Sequence, residues 1–298
     1  MESEDLEDFT EVVRSGKGTK PRLIKSKKNV YEKPKELGKG GYGKVYKYFS
    51  RKTDHTVIVK VFNTVKKTKT DCISTGKLLS PRCMKSKRNH VLEQRCLGDI
   101  LLMKEMDGDL IDFFHDRGEF ATPGLAETCI KQLASGLACV EKSKGWYTDV
   151  KPENILWKVE RSAPYFCLGD LDFCRDHAKA LTTYSPPEGG GRACSEGGSV
   201  WGFGLLVMWI MHQVNPKKHA DPYELHWTHA KTQGLTDDEY KDLKKSVIRK
   251  YKRIIDGFRL TKKSKDLVKR MVDYRNASRP SIKEINTQGV VRKRRGPK

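Results

Sequence analysis

Twelve apolar residues in succession, Val200 to Met211 (VWGFGLLVMWIM), constrain the fold more than any other stretch. The run is well short of the roughly 20 residues that cross a bilayer. It therefore predicts a helix apolar all round, which only a large core can bury. A chain of 298 residues with 37% apolar content can build such a core and reads as a soluble globular protein. The N-terminus, MESEDLEDFTE, has neither the basic start nor the apolar centre of a secretory signal, so an intracellular location, cytoplasmic or nuclear, is expected. The eight cysteines (Cys72, Cys83, Cys96, Cys129, Cys139, Cys167, Cys174 and Cys194) show no C-x-x-C pair or metal-ligand spacing. They read as reduced thiols, several in the core, and not as a zinc site.

Upstream of the apolar helix the residue pattern changes once. From Tyr31 to Phe62 the chain is rich in Val, Ile, Tyr and Phe, broken by glycines at 38 to 43 and by a turn at Lys52 to His55, which predicts three short strands. Residues 64 to 90 are basic and contain Gly76 and Pro81, so any helix there is weak or broken. Two further strands, about 91 to 95 and 100 to 105, flank a turn at Gly98-Asp99. Beyond Gly108 the spacing becomes helical: Leu110, Phe113 and Phe114, then Leu125, Cys129, Leu133, Leu137 and Val140. The switch divides the chain near 106 to 109, into a strand-rich part (31 to 107) and a helix-rich part (108 to 288). Residues 1 to 30 are expected to be a mobile charged arm, and residues 289 to 298 a basic tail. No membrane span is expected.

The net charge of +21 favours acidic partners, whether nucleic acid, anionic membrane or acidic protein segments. Chemistry is carried by shorter motifs. Leu37-Gly-Lys-Gly-Gly-Tyr-Gly-Lys-Val45 sets Gly38, Gly40 and Gly43 between two predicted strands, where backbone N–H groups can approach phosphate oxygens without a Cβ in the way. The same spacing marks dinucleotide sites, but a following strand and the terminal valine argue against that version. Fifteen residues on, Lys60 lies inside the apolar strand Val57-Ile-Val-Lys60-Val-Phe62. Tyr147-Thr-Asp149-Val-Lys151-Pro-Glu-Asn154-Ile-Leu156 and Phe166-Cys-Leu-Gly-Asp170-Leu-Asp172-Phe-Cys174 complete the set.

In this order the motifs resemble those of the eukaryotic protein kinases over about residues 31 to 285. The resemblance implies an α+β, two-lobed protein-kinase fold with a small antiparallel sheet and a mainly helical second lobe. It implies ATP and Mg2+ as cofactors, with Mn2+ as a substitute, and a protein substrate. Lys60 would hold the α- and β-phosphates beneath a loop built on Leu37, Gly38, Gly40, Gly43 and Val45. Asp149 would accept the proton of the substrate hydroxyl, while Asn154 and Asp170 would bind magnesium. Lys151 would neutralise the transferred phosphate, as in the serine/threonine branch. Glu105-Met106 would be the hinge beside the nucleotide, with Met103 or Lys104 as gatekeeper. Asp172-Phe173-Cys174 is a rival for the metal-aspartate motif, but it would place charged Asp170 where the strand should be apolar. Thr182-Thr-Tyr-Ser-Pro-Pro-Glu188 is similar to the end of an activation segment, and Ser278-Arg279-Pro280 to the late arginine motif, so Glu188 and Arg279 are expected to form a buried ion pair.

The pattern also departs from the family. Residues 61 to 92 contain no glutamate to pair with Lys60, and Tyr147-Thr148 replaces the usual His-Arg. Ser199 takes the place of an aspartate. Because Thr148 carries no charge, phosphorylation at Thr182 or Thr183 is not expected to act as a switch. A pseudokinase scaffold is the alternative reading. A small-molecule kinase is disfavoured by Lys151 and Pro187-Glu188. Nucleic-acid binding is not required, since the basic residues lack interleaved aromatics.

Overall fold

The structure, a computed structural model, describes residues 5–14, 16, 20–40, 43–62, 89–115, 122–143, 145–147, 149–171, 184–189, 195–215, 220–227 and 234–290. These divide into two compact units, residues 5–62 with Leu92–Met106, and residues 89–91 with 107–290. Most of the basic stretch 64 to 90, Thr148, Asp172 to Cys174, Thr182, Thr183 and the tail from residue 291 lie outside the described residues.

In the first unit, β-branched and aromatic residues favour a pleated, half-buried surface. Seven strands, β1 (Phe9–Val13), β2 (Leu23–Ser26), β3 (Val30–Gly40), β4 (Gly43–Ser50), β5 (Thr56–Phe62), β6 (Gln94–Leu97) and β7 (Ile100–Met103), form one antiparallel sheet in the order β1-β2-β3-β4-β5-β7-β6. β3 to β5 are the three strands expected between Tyr31 and Phe62, and β6 and β7 flank the expected turn, where Gly98 takes φ +62°. Side chains alternate between the faces of a sheet. Tyr46, Tyr48, Val57, Val59, Val61, Ile100 and Leu102 form a buried cluster on one face. Val45, Lys47, Ile58, Lys60, Leu101 and Met103, their immediate neighbours along the strands, therefore project from the other.

The expected mobile arm is corrected by this sheet. Leu6, Phe9 and Ile24 are buried in the same cluster, and β1 and β2 extend the sheet by two strands. The Arg95 guanidinium on β6 donates to the carbonyls of Leu6 (2.8 Å) and Phe9 (2.9 Å), tying the two outermost strands together. Arg14 meets Asp99 at 2.6 Å, and the Tyr48 hydroxyl donates to the Pro21 carbonyl at 2.6 Å. Single apolar residues among charges show no alternation in a short window. What recruits them is the apolar face of a sheet assembled from residues farther along the chain.

The second unit holds a three-stranded antiparallel sheet, β8 (Gly108–Asp109), β9 (Ile155–Glu160) and β10 (Ala163–Leu168), with β9 in the middle. Its helices are α1 (Leu110–His115), α2 (Pro123–Lys142), α3 (Glu196–Val214), α4 (Asp237–Gly257), α5 (Lys262–Met271) and α6 (Ile282–Gln288). α2 starts at an N-cap, Thr122, whose hydroxyl accepts from the Leu125 N–H, with Pro123 in the first turn where no donor is missed. α3 contains the apolar run and buries every residue from Gly198 to Met211. Among the described residues, no helix is long and apolar enough to cross a membrane. Val290 is buried, so the folded body extends past residue 288 into the expected tail.

Cys129 and Cys167 are free and buried, and burial pushes both thiols up, Cys167 to about 12. Cys96 and Cys139 are disulfide-bonded, which corrects the reading of all eight cysteines as thiols. Sequence spacing did not indicate which cysteines are bonded.

Candidate active site

The site residues fall into two groups, one in each unit. In the sheet unit, β3 and β4 run together as far as the pair Gly40 and Gly43, so these two glycines are the last described rung of the ladder. A Cβ at Gly43 would stand 2.4 Å from the Val61 carbonyl oxygen, so the close approach of β5 itself demands glycine there. Gly38 has open space around it, and Leu37 is half exposed. Val45, Lys60 and Leu101 are successive partners across β4, β5 and β7. Lys60 is 9% exposed, with Nζ 5.5 Å from the centre of the Phe62 ring. Glu105, just beyond β7, is held by its side chain: the carboxylate accepts from Lys47 Nζ and from Thr56 Oγ1. Met106 is the next residue.

In the helical unit, Asp149, Lys151, Asn154 and Asp170 come together. Lys151 is extended (φ −152°) and leads into a single 3-10 turn, Pro152–Asn154, which Pro152 favours by its fixed φ. The turn brings Asn154 back onto Asp149. Its Nδ2 donates to the Asp149 carboxylate (2.8 Å) and to the Asp149 carbonyl (2.9 Å). Lys151 Nζ stands 2.9 Å from the same carboxylate oxygen. Burial disfavours the Lys151 ammonium, but the bond to Asp149 and the charges of Asp149, Glu153 and Asp170 prevail and raise its pKa.

Asp170 follows β10 and takes φ +39°, a left-handed conformation that is strained for a residue with a Cβ. The residue before it is pinned on both sides. Gly169 N–H donates to the Asn154 carbonyl (2.8 Å), and the Gly169 carbonyl accepts from the buried Tyr147 hydroxyl (2.6 Å). A Cβ at Gly169 would meet the Leu156 side chain at 2.9 Å. Sequence reasoning noted Tyr147 as a departure in the catalytic loop and missed that its hydroxyl reaches Gly169. It also missed Lys47 and Thr56, because no local pattern marks their reach to Glu105.

The expected ion pair is present. Arg279 grips Glu188 through two bonds of 2.7 Å, with the side chains 1% and 10% exposed. The guanidinium also donates to the carbonyls of Asp273 (3.1 Å) and Gly197 (2.9 Å), so its remaining donors are satisfied.

Among the described residues, no group of three or more His, Cys, Asp or Glu could cage a metal ion. Magnesium rarely uses such cages; it binds one or two carboxylates together with substrate phosphates. The oxygen donors fit it. Both bonds from the Asn154 Nδ2 go to Asp149, and the Asn154 amide oxygen and the Asp170 carboxylate are hard donors of the kind magnesium takes.

The model of the protein kinase domain family matches residues 31–291. Over 283 residues the chain is 25% identical to the SNF-related serine/threonine-protein kinase of Homo sapiens, which covers 88% of this chain and 34% of that protein. It is 26% identical over 197 residues to MAP kinase-activated protein kinase 2 of Oryctolagus cuniculus, covering 57% of this chain and 50% of the relative. The chain thus spans a third to a half of the length of these relatives. Since the family model takes in both the strand unit from β3 onward and the helical unit, the chain belongs to the protein kinase domain family.

Proposed function

We propose that this protein transfers the γ-phosphate of ATP to serine or threonine hydroxyls of a protein substrate. The observation that carries the reading is the Asp149 carboxylate, held at 2.9 Å by Lys151 and at 2.8 Å by Asn154. A carboxylate fixed in this way can accept a hydroxyl proton as the oxygen attacks phosphorus and the bond to the ADP leaving group breaks. Lys151, kept cationic by its neighbours, balances charge that builds on the transferred phosphoryl group. Asn154 and Asp170 would hold Mg2+ or Mn2+, which supplies charge neutralisation on the phosphates when bound. Lys60, with the strand ends at Leu37, Gly38, Gly40, Gly43 and Val45 and the hinge at Glu105 and Met106, would position ATP. The charge of +21 favours an acidic protein segment as substrate, and the enzyme would act inside the cell, in cytoplasm or nucleus, without requiring nucleic acid.

The test is transfer of labelled phosphate from ATP to a mixed protein substrate by wild type, Lys60→Met, Asp149→Asn and Asp170→Asn, each first shown to be folded. Loss by orders of magnitude in all three variants is expected. Near wild-type transfer by Asp149→Asn would remove the catalytic assignment, and ATP binding without transfer by wild type would make the chain a pseudokinase.

A further inference from the structure

We infer that Lys47 and Thr56 are positioning residues for the nucleotide, acting through Glu105; the inference rests on the phosphotransfer reading above. Register is the starting point. β5 and β7 pair Lys60 with Leu101 and Ile58 with Met103, where the ladder ends. Continued two residues further, that register would set Thr56 opposite Glu105, yet the Lys104 N–H turns to the other neighbour and donates to the Glu93 carbonyl (3.1 Å). The Glu105 side chain takes over where the ladder stops. One carboxylate oxygen accepts from Thr56 Oγ1 on β5 and the other from Lys47 Nζ on β4.

The tie lies on a particular face. Because side chains alternate, Lys47 and Thr56 share the face that carries Val45 and Lys60, opposite the apolar cluster under β1 and β2, and their bonds hold the Glu105 carboxylate beside them. Lys47 and Glu105 are only partly exposed, at 25% and 36%, so the pair is not a freely solvated surface contact. With both carboxylate oxygens engaged, Glu105 serves the nucleotide through its backbone, and the tie sets the direction in which that backbone and Met106 leave the sheet. Such a residue changes how well a ligand is held without touching the reacting atoms.

The experiment measures ATP affinity and Tm for wild type, Lys47→Met, Lys47→Arg, Thr56→Val and Thr56→Ser, and the KM for ATP and kcat wherever transfer is measurable. A loss of affinity of about tenfold is expected for Lys47→Met and Thr56→Val, seen as a raised KM with kcat little changed. Lys47→Arg and Thr56→Ser, which keep the charge or the donor, should remain near wild type, and Tm should not follow the affinities. Equal affinity in all five proteins overturns the inference while leaving phosphotransfer intact. Affinity losses that follow Tm overturn it too, because they assign the tie to stability. A folded wild type that binds no ATP overturns the phosphotransfer reading itself, and the inference with it.

Discussion

The Tyr147 hydroxyl donates a 2.6 Å hydrogen bond to the carbonyl of Gly169, the residue directly before Asp170. Tyr147 is 1% exposed, so neither partner can exchange this bond for water. Asp170 holds a left-handed backbone that persists only if its surroundings impose it, and strain of this kind costs about 1–3 kcal/mol. Tyr147→Phe removes the donor and leaves a buried carbonyl short of a partner, at about 1–3 kcal/mol. We predict that the variant folds, loses about tenfold in phosphotransfer and needs more Mg2+ to reach half its maximal rate. Titrating Mg2+ against rate separates this from a purely structural effect, since an unchanged requirement would show that Asp170 keeps its place without the hydroxyl.

A second prediction concerns Glu188 and Arg279. Burying two charges is expensive, and the pair is tolerated because every contact is made within an apolar setting that includes Trp201, whose ring centre lies 5.1 Å from the guanidinium. Glu188→Ala strands the arginine and is expected to destabilise the protein by about 3–5 kcal/mol. Replacing both residues by apolar ones should recover part of that loss. Urea denaturation of the single and double variants checks the expectation, and additive losses would contradict it.

The parts of the site that were legible in the sequence are those that are local in the chain. Asp149 and Asn154 are five residues apart, and one turn started by Pro152 brings them together, so their spacing already encodes the contact. Lys60 could be placed because a charge inside Val57–Phe62 stands out against its strand. The Lys47–Glu105 and Tyr147–Gly169 contacts join residues 58 and 22 positions apart, and each depends on a register that no window of sequence displays. The approach of the Val61 carbonyl to Gly43 is a second reason for glycine at that position, and it too depends on a strand pairing that the local spacing does not display. β1 and β2 were missed for the same reason as the long contacts, since a cover is recognisable only with the face it covers.

That cover leads to a third prediction. Phe9 is 2% exposed and its ring centre lies 5.1 Å from that of Tyr31. Phe9→Ala should cost about 3–5 kcal/mol, the range for emptying a buried aromatic site. Arg95→Ala, which frees the carbonyls of Leu6 and Phe9, should cost about 1–3 kcal/mol. Thermal unfolding with both sheet and helix signals is the measurement. A Phe9→Ala protein as stable as wild type would mean that residues 5 to 26 are the dispensable arm their charge suggested.

The last prediction is a pH dependence centred on His90. Its Nδ1 lies 2.9 Å from the Phe166 carbonyl oxygen, and since a carbonyl only accepts, Nδ1 carries the hydrogen. The ring stacks on Tyr165 at 5.0 Å. Burial lowers the pKa of His90, and the bond to Phe166 and the charge of Glu160 only partly oppose this. Folding therefore favours the neutral imidazole relative to the unfolded chain, whose histidine titrates near about 6.5. The sign follows directly. Above that value neither state holds the proton; as pH falls through it, the unfolded chain gains a proton that the folded protein resists, and stability declines until the folded pKa is reached. Carboxylates held low by partners, such as Glu284 beside Arg270 and Asp273 beside Lys252, lose their contribution in a more acidic window, as pH falls below their unfolded values. Urea denaturation at pH 7.5, 6.5 and 5.5 should show wild type losing stability across the interval. In His90→Gln the amide can still donate to Phe166 but cannot titrate, so its stability should change less. An equal decline in the two proteins would place the titrating group elsewhere.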